Sequence, residues 1–249
     1  MAIDLLKSFT LLTAHVELTS ACNLRCIYCP VSQPGYNAET MSSGLIVESI
    51  FGLLQSNLKE VNINGHGETT IVKGWDKIFK PLLESPINCN LISNLSKNYS
   101  DNEIEALARL HVLTISCDTF DPKTYQELRR NGSLVNILVT IQRIRLKCSE
   151  LGTRVPHIGF SCVLGADNAI QLSDFINTSR QLKVDFLQFC DLTEYPAPPD
   201  ADYTLKPLTD LTEKELSYVE KTLKDAISTN SPRIGIQDGI FRKLQSTES

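Results

Sequence analysis

The chain has 249 residues, 42% hydrophobic, and carries a net charge of -5. That is enough for one large domain with its own core and leaves little for a second, so the expectation is a single domain over 1–249. No dense Lys/Arg run is present, which makes nucleic acid an unexpected partner, and no apolar run nears the about 18 residues of a membrane span.

Strand-like and helix-like segments alternate along the chain. AHVEL (14–18) is a strand. SSGLIVESIFGLLQ (42–55) is a helix with Ile46, Ile50, Leu53 and Leu54 on one stripe. EVNIN (60–64) is a strand, and a helix bent or broken at Pro81 follows over 75–84. NCNLIS (88–93) is a strand. SDNEIEALARL (100–110) opens with a capping box, Ser100 and Glu103. HVLTISC (111–117) is a strand. DPKTYQELRR (121–130) is a helix with Asp121 as N-cap and Pro122 behind it. A long helix (133–151) puts Leu134, Ile137, Leu138, Ile141 and Ile144 on one face. HIGFSCVL (157–164), a helix over 169–182 and VDFLQFC (184–190) complete six strands.

The strands are short and mostly apolar, as in a sheet buried on both faces. Such alternation builds a parallel sheet with helices outside it. A barrel and an open sheet both fit, and in either ligands gather at the C-terminal strand ends. The core spans about 14–190. Beyond it lie a proline-rich loop (195–207), a helix (212–227) capped by Thr212 and Glu215, and a possible extra strand (233–238). The segment 191–203 is placed as a lid over the strand ends.

Three of the eight cysteines share one loop after the first strand, SACNLRCIYCP (20–30). Cys22, Cys26 and Cys29 are spaced C-x3-C-x2-C. Three readings fit them. One is a structural zinc with a distant fourth ligand such as His15, although no second C-x2-C pair is present. Another is three buried thiols without metal. The third is an iron–sulfur cubane with three irons held and one open, unlike the four-cysteine ferredoxin runs. An open metal position accepts a small molecule as the fourth ligand.

CNLRCIYC resembles the signature of the radical S-adenosylmethionine (radical SAM) superfamily. The resemblance implies a partial (β/α)6 TIM-like barrel. It implies a [4Fe-4S] cluster on Cys22, Cys26 and Cys29, with S-adenosylmethionine on the open iron. It implies reductive cleavage to a 5′-deoxyadenosyl radical that abstracts a hydrogen atom, with Tyr28 against the adenine. NGHGETT (64–70) resembles the superfamily's Gly-Gly-Glu element, which receives the methionine amino group. Gly67 and Glu68 match, while His66 replaces the first glycine and is either structural or turned to the substrate. Asn94 ends the third strand, placed to meet a ribose or to cap a turn. Ser116 and Asp118 share a strand face, and two inward polar groups need partners that a cofactor supplies. The passage resembles the superfamily's Ser-x-Asp followed by a helical arginine. Arg129 is therefore the candidate for the methionine carboxylate, ahead of Arg130.

The protein chooses the hydrogen and the cofactor supplies the radical. No cysteine follows Cys190, so an auxiliary-cluster extension of SPASM type is not expected. That favours a redox-neutral rearrangement, epimerisation or dehydration of a small metabolite or natural-product intermediate. Modification or glycyl-radical activation of a peptide or protein is the alternative, and a non-catalytic metal-binding protein ranks last. Cys89, Cys117, Cys148 and Cys162 read as core residues. Cys190, at a strand end, is either core or a hydrogen-atom donor. The implied partners are a small-molecule substrate, a peptide in the alternative, and an external one-electron reductant such as flavodoxin or ferredoxin. The expected setting is cytoplasmic.

Overall fold

The computed structural model describes residues 12–192, 205–229 and 231–245. Its strands are β1 (Thr13–Val16), β2 (Arg25–Cys26), β3 (Glu60–Ile63), β4 (Asn88–Ser93), β5 (Val112–Ser116), β6 (Arg129–Arg130), β7 (His157–Leu164), β8 (Phe186–Asp191) and β9 (Arg233–Ile236). Its helices are α1 (Ser43–Gln55), α2 (Trp75–Leu83), α3 (Asp101–Ala108), α4 (Pro122–Leu128), α5 (Leu134–Leu151), α6 (Ala166–Ala169), α7 (Leu172–Gln181), α8 (Glu213–Ser228) and α9 (Asp238–Gln245).

Seven strands form one parallel sheet in the order β1-β3-β4-β5-β7-β8-β9. β1 and β9 are its edges, so the sheet is open rather than closed. β2 and β6 make a separate antiparallel ribbon, with Arg25 opposite Arg130 and Cys26 opposite Arg129. β9, the possible seventh strand, pairs with β8 in register Phe186 to Arg233. The sheet therefore extends past the expected end at 190.

One face of the sheet is dry. Val61, Leu91, Leu113, Ile115, Phe160, Leu187 and Phe189 pack against Phe79, Leu107, Ile141, Ile144, Phe175 and Val219 of the helices. Burying each such side chain contributes about 1.5–3 kcal/mol. The other face differs from the expectation of burial on both sides. β3 and β5 alternate strictly between buried and half-buried positions. Asn62, Asn90, Thr114, Ser116, Gln188 and Cys190 occupy the half-buried ones. An open sheet leaves that face to water or ligand, and its polar residues match that surrounding.

Several local expectations are met by geometry. The capping boxes Ser100/Glu103 and Thr212/Glu215 are formed. Asp121 caps α4 through Thr124 N at 2.8 Å. Four segments differ. α2 runs through Pro81, which lies in its last turn where a missing N–H costs a single bond. The helix expected over 121–130 stops at Leu128, and Arg129 enters β6 instead. The helix expected over 169–182 is two, α6 and α7. α9 has no counterpart among the sequence expectations. Most of the expected lid, from 193 to 203, lies outside the described residues.

Candidate active site

The cysteine loop leaves β1 and is pinned at both ends. Ser20 N donates to Glu39 O at 2.8 Å, and Met41 N donates to Leu18 O at 2.8 Å. Cys26 lies on β2, and Ile27 N donates to Leu128 O at 3.0 Å. Cys29 N donates to Cys26 O at 3.1 Å, turning the chain into the short 3-10 segment Pro30–Ser32. Leu24 N donates to Cys22 Sγ at 3.4 Å. Cys26 is buried, while Cys22 and Cys29 are half-buried. Burial pushes the Cys26 thiol up to about 12 and also raises Cys22 and Cys29. The three thiols are close enough to disfavour one another's ionisation. Without a cation among them they stay protonated.

Gly67 presses the β3 loop onto this cysteine loop. A Cβ there would sit 2.2 Å from Thr19 O and 2.4 Å from Ala21 O, so only glycine fits. Glu68 N donates to Ala21 O at 2.8 Å. The Glu68 side chain turns inward, 3% exposed. It accepts from Thr70 N at 3.1 Å, Thr70 Oγ1 at 2.7 Å, Ser93 Oγ at 2.9 Å and Asn94 N at 2.7 Å. That carboxylate ties the β3 loop to the end of β4. Asn94 Nδ2 in turn donates to Asn23 Oδ1 at 2.9 Å and reaches Cys22 Sγ at 3.8 Å. Leu95 holds a left-handed φ of 52°, a strained setting for leucine. Its N–H is caught by Ser93 Oγ at 3.0 Å.

Asp118 and Arg129 form a second knot. Arg129 Nε and Nη2 bind Asp118 Oδ2 and Oδ1 at 2.7 and 2.8 Å. Tyr28 OH donates to Asp118 Oδ2 at 2.6 Å and Val163 N donates to Oδ1 at 2.9 Å. The carboxylate thus has four donors and is fully buried. Tyr28 also lies under the guanidinium, 5.6 Å from ring centroid to Cζ. Burial alone would lower the Arg129 pKa, but Asp118, Tyr28 and Cys26 together outweigh it and hold the guanidinium charged, well above its ordinary value. The Nε/Nη2 edge is taken by Asp118, so a second carboxylate meets only the end-on edge.

The sequence candidates therefore fall into two linked groups. Gly67, Glu68 and Asn94 brace Cys22 from one side. Tyr28, Asp118 and Arg129 brace Cys26 from the other. Ser116 sits half-buried on the polar sheet face, one strand from Ser161. Cys190 is half-buried, 3.4 Å from Ser161 Oγ, and close enough to Asp118 and Arg129 to feel their charge. His66 is exposed, and its N–H donates to Glu17 Oε1 at 2.5 Å. Cys89, Cys117, Cys148 and Cys162 are buried in the core, as expected.

Sequence reasoning passed over Asn23, Ser93, Thr70 and Asn168. Asn168 Nδ2 donates to Asp118 O at 3.0 Å and Val163 O at 2.9 Å. Its Oδ1 accepts from Gly165 N at 2.9 Å, a capping pattern three residues apart that was legible. The partners of Glu68 come from two loops and carry no such local signal.

Residues 16–158 match the family model described as the Radical SAM superfamily. The chain is 28% identical over 188 residues to GTP 3′,8-cyclase of Petrotoga mobilis, covering 72% of this chain and 56% of that protein. It is 28% identical over 174 residues to the sporulation killing factor maturation protein SkfB of Bacillus subtilis, covering 69% and 40%. The chain thus spans about half the length of the curated relatives it matches. Among solved structures, Streptococcus suis SuiB bound to S-adenosylmethionine superposes with a TM-score of 0.69 at 16% identity, covering 98% of this chain and 56% of SuiB. That likeness is one of fold.

Proposed function

The chain belongs to the radical SAM superfamily, and from that premise we propose that Cys22, Cys26 and Cys29 hold a [4Fe-4S] cluster whose open iron takes S-adenosylmethionine. Members of the superfamily use that cluster and that cofactor. The donor set supports the assignment: three neighbouring cysteines in one short loop offer one thiolate to each of three irons. Burial resists thiolate formation here, and bound iron supplies the positive charge that reverses it.

When bound, the cluster and cofactor supply a 5′-deoxyadenosyl radical that removes a hydrogen atom from the substrate. The chain's own residues bind and orient. Arg129, held charged by Asp118, offers its end-on edge to the cofactor carboxylate. Glu68 has its carboxylate satisfied internally, so the cofactor amino group falls to backbone near Gly67 and Glu68. Tyr28 lies against the adenine, and Asn94 and Ser116 offer hydrogen bonds to the sugar. Cys190 is the candidate to return a hydrogen atom. An external one-electron reductant such as flavodoxin or ferredoxin feeds the cluster, in a cytoplasmic setting where thiols stay reduced.

The substrate in this reading is a small metabolite or natural-product intermediate, undergoing redox-neutral rearrangement, epimerisation or dehydration. The likeness to GTP 3′,8-cyclases and the polar, half-buried sheet face favour it. A peptide substrate is the second reading, favoured by the likeness to SkfB and by the SuiB structure bound to the precursor peptide SuiA.

One observation carries the proposal: a C-x3-C-x2-C loop clamped at the strand ends between the Glu68 and Asp118 knots. The test is anaerobic reconstitution with iron and sulfide, then S-adenosylmethionine and a strong reductant, with 5′-deoxyadenosine read by mass spectrometry. Its formation supports the assignment. Zinc binding with no iron uptake overturns it. Low-mass and peptide fractions of a cell extract, added separately, separate the two substrate readings by which one raises the yield.

A further inference from the structure

The polar face of the sheet holds one unpartnered group. Strand residues two apart share a face, and the register sets His15, Asn62, Asn90 and Val112 side by side across β1, β3, β4 and β5. Glu60, two residues before Asn62 on β3, starts a chain of bonds along this face. Asn62 Nδ2 donates to Glu60 Oε1 at 3.2 Å, and Asn90 Nδ2 donates to Asn62 Oδ1 at 2.9 Å. A carboxylate only accepts, so each amide turns its nitrogen toward Glu60 and its oxygen away from it. The chain therefore ends on Asn90 Oδ1. The next residue in the row is Val112, whose side chain has no donor to give. Among the described residues, Asn90 Oδ1 is the one buried side-chain polar atom without a hydrogen-bond partner. Leaving such an acceptor unpaired costs stability, so it calls for an explanation.

A second feature lies on the same strand. Ile92 is 43% exposed, although β4 lies inside the sheet between β3 and β5. It stands between Asn90 and Asn94, and Asn94 Nδ2 reaches Cys22 Sγ at 3.8 Å. The column from Asn94 through Ile92 to Asn90 thus leads away from the cysteine loop for about 13 Å, at about 3.3 Å per residue. The charge of this region is one-sided. β1, β3, β4 and β5 contain no lysine or arginine, while Glu60 places a carboxylate at the head of the amide chain. Polarised from that end, Asn90 Oδ1 attracts a donor and repels an anion.

We propose that Asn90 and Ile92 select the substrate, whose remote end is a short apolar stretch tipped by a hydroxyl or amino group and free of anionic groups. The inference rests on the cluster reading, which puts the reacting end at the cysteine loop. The apolar stretch covers Ile92. The tip donates to Asn90 Oδ1 once that side chain, half-buried as a whole, turns toward the open face. Asn90 acts by positioning, and no bond is made or broken there.

The test titrates the whole chain with three probes of one length: n-butylamine, n-butanol and butyrate. The Ile92 methyl resonance, assigned from Ile92→Val, reports binding by NMR in wild type, Asn90→Leu and Asn90→Asp. The amine and the alcohol are expected to bind wild type about three- to tenfold more tightly than butyrate, the worth of one hydrogen bond. Asn90→Leu should bring the three probes level. Asn90→Asp keeps an acceptor and should keep the preference, shifted toward the amine. In wild type, an advantage of amine over alcohol marks a cationic tip and the reverse a neutral one. Butyrate bound as tightly as the donors, a donor preference that survives Asn90→Leu, or no Ile92 shift with any probe overturns the proposal. In the reconstituted enzyme, a 5′-deoxyadenosine yield raised only by the anionic fraction of a low-mass extract also overturns it. None of these results touches the iron assignment. A chain that binds the donors but takes up no iron overturns the cluster reading, and with it the substrate role.

Discussion

Replacing Asp118 with asparagine tests the knot that holds the cysteine loop to the sheet. The change keeps the shape and removes one charge. Oδ1 can still accept from Val163 N and Arg129 Nη2, at 2.9 and 2.8 Å in the native protein. The new amide then faces Arg129 Nε and Tyr28 OH, which sit 2.7 and 2.6 Å from Oδ2. Arg129 Nε meets a donor and its bond is lost, while the Tyr28 hydroxyl can turn to accept from the amide. Bonds to charged groups contribute about 1.5–3 kcal/mol each. The guanidinium, 7% exposed, is also left without its counter-charge. Breaking one side of a buried pair costs about 3–5 kcal/mol, a figure that includes both the lost bond and the uncompensated charge. At about 2–4 °C per kcal/mol for a chain of this size, the melting temperature should fall by roughly 6–20 °C. Thermal unfolding of the metal-free protein by circular dichroism measures it. Asp118→Leu with Arg129→Met removes both charges and should recover most of the loss. A fall of under 1 °C in Asp118→Asn would refute the argument that this pair is structurally coupled to the site.

Cys26→Ala should abolish cluster assembly, and iron analysis after reconstitution checks it; a full iron complement would reject the ligand assignment. Gly67→Ala should destabilise the protein by about 1–3 kcal/mol through overpacking, because the new methyl group meets the carbonyls of Thr19 and Ala21; urea unfolding reads the shift. Glu103→Ala should cost about 1–2 kcal/mol, since it removes a capping box and the bond from Trp75 Nε1 at 2.8 Å. Burial alone would raise the Glu103 pKa, but Lys97, Ser100 and Trp75 hold it below the usual value. A carboxylate depressed by folding adds stability above its unfolded pKa and loses it as pH falls through the folded one. Acid unfolding of Glu103→Ala should therefore lack part of the wild-type slope below about pH 4.5. Cys190→Ala should still yield 5′-deoxyadenosine yet lose product if Cys190 returns the hydrogen atom, and mass spectrometry of both species decides it.

Helix starts were legible wherever the chain writes them locally. Ser100 with Glu103, Thr212 with Glu215, and Asp121 before Pro122 each act within four residues. The end of α4 was not legible. YQELRR continues a helical pattern, but pairing with Arg25–Cys26 draws Arg129 and Arg130 into a strand. Asn131, with a φ of 69°, and Gly132 then turn the chain toward α5. A partner about a hundred residues away decided that boundary. The division of each strand into a dry and a wet face was also hidden, because short apolar runs do not say which face a helix will cover.

By itself the sequence determined the chemistry available and the order of the elements. Three thiols within eight residues stay together in any fold, and alternating strands and helices leave few arrangements besides a parallel sheet. Only the tertiary structure decided who partners whom. Glu68 draws its donors from Thr70, Ser93 and Asn94, and Asp118 draws its own from Tyr28, Arg129 and Val163. A buried carboxylate must find donors wherever the packed chain brings them, and that demand is met in space rather than along the sequence.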